Sequence, residues 1–217
     1  MIIPAILENT WEEIEKKLII CGEFTKTIHI DFIDGKFTNT TTFLEFEPFK
    51  KYSSYFTLEA HLMVEEPIKY LDRLSSAGFK RFIGHVEKMS DQVEFVAKGE
   101  VLGEVGLAID LQTPIGNIKV SLDDLDQILL MSVAAGKSGQ TFDNSVIEKI
   151  KTLRSKYLGR IEIDGGINDQ TLMLAKTSGA NTFCVTSFLF KENPKEQYQT
   201  LQSLLFVCCL KKTFESF

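Results

Sequence analysis

The sequence predicts an α/β protein folded as a single (β/α)8 barrel, and three observations carry the prediction. Eight short apolar runs recur along the chain, each followed by a segment that reads as helix or turn. Such runs suit strands covered on both faces, and the alternation implies a parallel sheet. Eight β/α units in 217 residues fit a closed barrel better than an open doubly wound sheet. No Gly-x-Gly-x-x-Gly follows the first strand, so a dinucleotide-binding sheet loses its main support.

Taken in order, Ile2 to Leu7 is the first strand, and Asn9-Thr10 offers a cap for a helix over Trp11 to Cys21. That helix carries Glu12, Glu13 and Glu15 near its positive end. Lys26 to Ile33 is the second strand, followed by a threonine-rich loop, Asp34 to Phe43, and a short helix over Glu47 to Tyr52. Phe56 to Met63 and Phe79 to Val86 are the third and fourth strands, with a helix from Glu66 to Ala77 between them that Gly78 stops. A helix over Ser90 to Ala97 leads to the fifth strand, Val105 to Asp110, and Pro114 opens the next helical segment. Asp126 to Val133 is the sixth strand, and Asp143 to Tyr157 reads as an amphipathic helix stopped near Gly159. Arg160 to Asp164 is the seventh strand, Asp169 to Thr177 a helix ended by Gly179, and Asn181 to Thr186 the eighth strand. A last helix starts near Pro194. The barrel is expected over residues 1–205. Residues 206–217 are expected to extend the last helix as a tail over a barrel face or a subunit contact, since the apolar stretch Leu204 to Leu210 is far too short to span a bilayer.

Hydrophobic residues form 44% of the chain, enough for a sizeable core in one domain. A net charge of −6 argues against nucleic acid and against an anionic membrane as partners, so an anionic substrate needs donors arranged locally. Met1-Ile2-Ile3-Pro4-Ala5 enters an apolar strand without a basic segment or cleavage pattern, and the cytoplasm is the expected location. Cys21, Cys184, Cys208 and Cys209 show no Cys-x-x-Cys spacing and no disulfide framework, which suits a reducing compartment.

In a parallel barrel, chemistry sits where the strands end. The second strand ends in Thr27-Ile28-His29-Ile30-Asp31-Phe32-Ile33-Asp34-Gly35, and residues two apart share a strand face, so His29 and Asp31 point the same way. Alone, this pair reads as a core histidine beside a turn aspartate. The chain has only three histidines, however, and His29, His61 and His85 all fall near strand ends, as does Asp164 on the seventh strand. His29, Asp31, His61 and Asp164 together supply a complete mixed nitrogen and oxygen ligand set from three strands. Zinc, manganese, iron(II) and cobalt all suit such a set. His85 reads as a hydrogen-bonded histidine of the rim.

Glycine marks a second function of the same rim. Ala135-Gly136-Lys137-Ser138-Gly139-Gln140 follows the sixth strand, Gly165-Gly166 the seventh, and Thr186-Ser187 closes the eighth. Loops after the late strands of barrels present backbone N–H groups to phosphate, and glycine lets the backbone approach closely. These loops are the expected phosphate-binding elements.

Pro4-Ala5-Ile6-Leu7, His29 to Gly35, His61-Leu62-Met63-Val64, Met131-Ser132-Val133, Gly139-Gln140-Thr141-Phe142, Glu162-Ile163-Asp164-Gly165-Gly166-Ile167 and Gly179-Ala180-Asn181-Thr182-Phe183 stand in a specific order and spacing. By them the chain resembles the ribulose-phosphate 3-epimerase family along Ile2 to Leu205. The resemblance implies a metal-dependent isomerase of the pentose phosphate pathway that epimerises C3 of a ketose phosphate, D-ribulose 5-phosphate to D-xylulose 5-phosphate. It further implies one divalent ion on His29, Asp31, His61 and Asp164, with Asp31 and Asp164 as the catalytic acid and base and His61 also beside the substrate. A homo-oligomer with a small sugar phosphate as its ligand is the expected state.

The chain departs from the family pattern in places. Ala5 stands where a serine is usual, Ile33 where a methionine is, and Thr186 where a glycine is. The loop usually Asn-Pro-Gly-Phe-Gly-Gly is Ala134-Ala135-Gly136-Lys137-Ser138-Gly139. Lys137 brings a cation that could meet a phosphate. No departure touches the four metal and proton-transfer positions. Two alternatives stay open: C3 epimerisation of a six-carbon ketose phosphate such as allulose 6-phosphate, and a sugar-phosphate-binding barrel without turnover. A Schiff-base aldolase would need a lysine in the C-terminal half of a strand, and there is none. Related decarboxylases and synthases carry Asp-x-Lys-x-x-Asp where this chain has Leu58-Glu59-Ala60-His61-Leu62-Met63.

Overall fold

A computed structural model describes the backbone of residues 1–214 and the side chains of residues 1–206. Eight parallel strands close on themselves in chain order: β1 (Ile2–Ile6), β2 (Thr27–Ile33), β3 (Thr57–Met63), β4 (Arg81–His85), β5 (Glu104–Ile109), β6 (Gln127–Met131), β7 (Arg160–Asp164) and β8 (Thr182–Val185), the last paired with β1. The helices are α1 (Trp11–Cys21), α2 (Leu71–Ser76), α3 (Gln92–Leu102), α4 (Val146–Arg154), α5 (Asp169–Ser178), α6 (Ser187–Phe190) and α7 (Pro194–Phe214). No helix among the described residues is long and apolar enough to cross a membrane. The backbone of α7 continues through the expected tail to Phe214; what the side chains beyond residue 206 cover lies outside the described residues.

Local chemistry explains most boundaries. Thr10 and Asp91 accept the N–H of Glu13 and Glu94 at the starts of α1 and α3, and Asn168 with Thr171 forms a capping box at α5. Gly179 ends α5 at φ 120°, a left-handed conformation that disfavours a side chain. Three expectations need correction. The helix expected from Pro114 is only two 3-10 turns, Ile115–Asn117 and Leu122–Asp124, because Gly116 and the β-branched Ile115, Ile118 and Val120 favour helix poorly. The helix expected from Glu66 to Ala77 begins as a 3-10 turn, Pro67–Tyr70, after Glu66 at φ 54°, and is α-helical only in α2. The amphipathic helix expected over Asp143 to Tyr157 is regular only in α4. Conversely, α3 runs past the expected Ala97 through Gly99, where a Cβ would stand 2.5 Å from the Val105 side chain. Here glycine permits close packing of helix on strand rather than stopping the helix. The short α6 carried no sequence signal.

Strand periodicity sorts the core into two parts. Ile28, Ile30 and Phe32 of β2, and Leu58, Ala60 and Leu62 of β3, face outward into the apolar layer shared with the helices. The alternate residues face the barrel axis. There Ile83, Ala108, Leu129, Met131 and Val133 pack on one side, with Ile3, Ala5 and Cys184 on another. The wall formed by β2, β3 and β7 is instead polar: His29, Asp31, Glu59, His61, Glu162 and Asp164 are all buried. A polar stripe inside a barrel requires partners, and those partners define the site.

Candidate active site

Parallel register sets Asp31 beside His61 and His29 beside Glu59, while Asp164 arrives at the end of β7 opposite Met131. One ligand atom from each of His29, Asp31, His61 and Asp164 lies within 4.8 Å of every other. His61 Nδ1 is 2.8 Å from Asp31 Oδ1 and 3.8 Å from Asp164 Oδ2, and His29 Nε2 is 3.3 Å from Asp31 Oδ1. His29 Nε2 is fully buried yet has no hydrogen-bond partner. A buried nitrogen without a partner, facing two carboxylates and a second imidazole, fits a divalent ion as the missing partner.

Each histidine is anchored through its other nitrogen, as metal-binding imidazoles commonly are. His29 Nδ1 meets Glu59 Oε1 at 2.7 Å. His61 Nε2 meets His85 Nε2 at 2.9 Å, and His85 Nδ1 meets Glu87 Oε2 at 2.9 Å. His85, read from sequence as a rim histidine, is thus hydrogen-bonded and fully buried, but directly behind His61.

The two aspartates are driven in opposite directions. Burial raises the Asp164 carboxyl and the negative charge of Asp31 raises it further, to about 6. Burial also opposes ionisation of Asp31, but the adjacent His29 and His61 rings, the latter hydrogen-bonded to it, outweigh burial and hold that group well below the usual carboxylate range. The metal-free site therefore pairs an ionised carboxylate with one that keeps its proton under mild acid, the asymmetry expected of an acid and a base. Burial lowers the His85 pKa and keeps its ring neutral. Burial pushes Glu87 up, but the hydrogen bonds from His85 and the Asp110 N–H prevail and bring it to about 2.

Sequence reading missed the lower tier of this wall. Glu59, Glu162 and Cys184 gather around His29 Nδ1, with Cys184 Sγ 2.9 Å from Glu162 Oε1 and Gln127 donating to Glu59 at 3.1 Å. Burial, then repulsion from Glu59, raises the Glu162 carboxyl. A signal was available: Glu59 precedes His61 by two residues and Glu162 precedes Asp164 by two, so each shares its partner's inward face.

At the mouth, Asp31, Asp164, Gly136, Lys137, Ser138, Gly139, Gly165, Gly166, Thr186 and Ser187 all line one cleft, while His29 and His61 lie buried beneath it. The positive φ values of Gly136 (106°), Gly139 (76°), Gly165 (112°) and Gly166 (59°) explain the glycines there. The threonine-rich loop after β2 closes on the loop after β6, Thr40 Oγ1 donating to the Gly136 carbonyl at 2.9 Å. Lys137 and Ser138 are exposed on that loop. Leu7, Met63, Met131, Val133 and Ile167 supply the apolar lining; Ile33, which stands where the family usually has a methionine, is buried and outside the cleft.

Comparison with known proteins points to one family. The family model described as the ribulose-phosphate 3 epimerase family matches residues 1–190. The chain is 30% identical over 214 residues to the ribulose-phosphate 3-epimerase of Schizosaccharomyces pombe, covering 93% of this chain and 92% of that one. It is 31% identical over 204 residues to that of Bacillus subtilis, covering 89% and 90%. Among solved structures, KGPDC from Streptococcus mutans superposes with a TM-score of 0.73 at 13% identity over 94% of this chain and 95% of that one. The 3-hexulose-6-phosphate synthase of Salmonella typhimurium does so with a TM-score of 0.69 at 13% identity over 94% and 97%. At such identities these two superpositions speak to the barrel fold alone.

Proposed function

Because this chain belongs to the ribulose-phosphate 3-epimerase family, and is therefore an isomerase of the epimerase type, we propose that it interconverts D-ribulose 5-phosphate and D-xylulose 5-phosphate by two-aspartate proton transfer at C3. The observation that supports this most directly is the gathering of Asp31 and Asp164 with His29 and His61 in one buried cluster of ligand groups, where the two carboxyl pKa values are driven in opposite directions. Epimerisation removes a proton beside a carbonyl and returns one to the opposite face of a planar enediolate. One base does not serve both faces, so two carboxylates on different strands share the task, one taking the proton while the other gives. His29, Asp31, His61 and Asp164 would hold one divalent ion, which when bound supplies Lewis-acid polarisation of the substrate carbonyl. Neutral imidazoles would hold that ion without cancelling its charge. The loops at Gly136 to Gly139, Gly165-Gly166 and Thr186-Ser187 would take the phosphate through backbone N–H groups, with Lys137 adding a cation.

Incubation of ribulose 5-phosphate with the metal-loaded protein in D2O is expected to wash deuterium into C3. Asp31→Asn and Asp164→Asn are each expected to slow exchange by about 10²–10⁴-fold, the usual worth of a positioned acid or base. Absence of exchange in loaded wild-type protein would leave a binding barrel in its place. Faster exchange with a six-carbon ketose phosphate would move the assignment to that substrate.

A further inference from the structure

We propose that His85 and Glu87 are positioning residues that fix the proton of His61 on Nε2, leaving Nδ1 bare toward the other three ligand groups. The inference rests on the reading of His61 as a metal ligand and supplies what makes it one. In this site the ligand nitrogen has a competitor: Asp31 Oδ1, 2.8 Å from His61 Nδ1, would draw a proton onto that atom. The opposite nitrogen decides the contest.

His61 Nε2 and His85 Nε2 are 2.9 Å apart, and of two ring nitrogens at that distance one donates and the other accepts. Glu87 selects which. Its Oε2 lies 2.9 Å from His85 Nδ1, and an ionised carboxylate only accepts, so His85 carries its proton on Nδ1 and offers Nε2 as a lone pair. His61 then donates Nε2–H, and its Nδ1 is free. Reversing His85 sets N–H against N–H, and reversing His61 sets one lone pair against the other. The Phe37 ring packs on His85 with centroids 4.6 Å apart, which restrains the plane of the ring. Glu87 is itself held from the far side, its Oε1 accepting the Asp110 N–H at 2.7 Å. Asp110 Oδ1 in turn accepts the Ala135 N–H at 3.3 Å, on the loop after β6. His29 reaches the same end by a shorter route, directly through Glu59.

The test uses the full chain with Zn2+ alone as probe, measured by chelator competition, together with 15N NMR of the histidine rings in the zinc-loaded protein. His85→Phe removes the acceptor but keeps a ring and is expected to weaken Zn2+ binding about 10–100-fold, whereas His85→Gln, whose carbonyl can accept from Nε2–H, is expected to restore it to within about threefold of wild type. The NMR is expected to place the His85 proton on Nδ1 and the His61 proton on Nε2. Unchanged Zn2+ affinity in folded His85→Phe, or the opposite tautomers in wild type, would overturn the proposal. Should His85→Phe fail to fold, Glu87→Gln decides: its single amide oxygen cannot serve both His85 and Asp110, so binding about tenfold weaker is expected and unchanged binding overturns the proposal. A wild type that binds no Zn2+, or a His61→Ala variant that binds as wild type does, would instead remove the reading of the site on which this one rests.

Discussion

Asp31 and Asp164 are one side chain placed in two environments, and the difference has measurable consequences without any substrate. The Asp164 carboxyl is raised from 3.8 to about 6 in the fold, so its contribution to stability is full below pH 3.8 and is lost as pH rises through 6. In metal-free protein at pH 7.5, urea melts are therefore expected to show Asp164→Asn more stable than wild type by on the order of 2 kcal/mol, the gap closing below about pH 4. A gap that grows on acidification would contradict the assignment. A divalent ion must displace the Asp164 proton and also that of His29, whose pKa burial lowers but Cys184, Asp31 and Glu162 together raise. Its affinity, followed by competition titration, is therefore expected to fall at least tenfold per pH unit below about pH 6. Both residues were legible in the chain, Asp31 because it stands two residues after His29 on one strand face, and Asp164 because it ends a strand at the Gly165-Gly166 turn. Their unequal protonation was not legible, because it comes from which imidazoles lie against which carboxylate.

The loops that carry the mouth are held by a few specific contacts. Gly166 sits at φ 59°, and a Cβ there would stand 2.5 Å from the Phe142 backbone nitrogen. Gly166→Ala is expected to lower stability by about 1–3 kcal/mol in thermal or urea melts, and to raise KM for the sugar phosphate as the cleft distorts. Asp110 caps the loop after β6 through the Ala135 N–H, and Lys149 Nζ holds the Asp110 and Thr113 carbonyls at 3.0 and 2.7 Å. Losing one such bond costs about 1 kcal/mol, so Asp110→Ala is expected to raise KM about fivefold, a shift steady-state kinetics would detect. Elements with capping signals, such as α1 and α5, could be placed from sequence to within a residue. The segment between β5 and β6 could not, because a proline that opens a helix and one that opens a 3-10 turn look alike before packing decides.

Closure of eight strands brings β2, β3 and β7 to one mouth although Asp31 and Asp164 lie far apart in the chain. A divalent ion held by the buried wall of carboxylates and imidazoles would stabilise the fold as well as serve the chemistry. At a free ion concentration of 100 times Kd, binding adds about 2.7 kcal/mol, and chelation is expected to lower Tm by about 5–10 °C, reversed by adding the ion back. An equal Tm with and without chelator would mean that no ion binds the folded state. The sequence by itself determined the barrel, its strand order, the family and the four residues that converge, because strand periodicity, glycine turns and motif order are local properties written along the chain. Only the tertiary structure decided that His85 and Glu87 stand behind His61, that Glu59 stands behind His29, and that Asp164 holds its proton to higher pH than Asp31. Those outcomes depend on burial and on distances of about 3 Å between side chains of different strands, and such distances exist only once the barrel has closed.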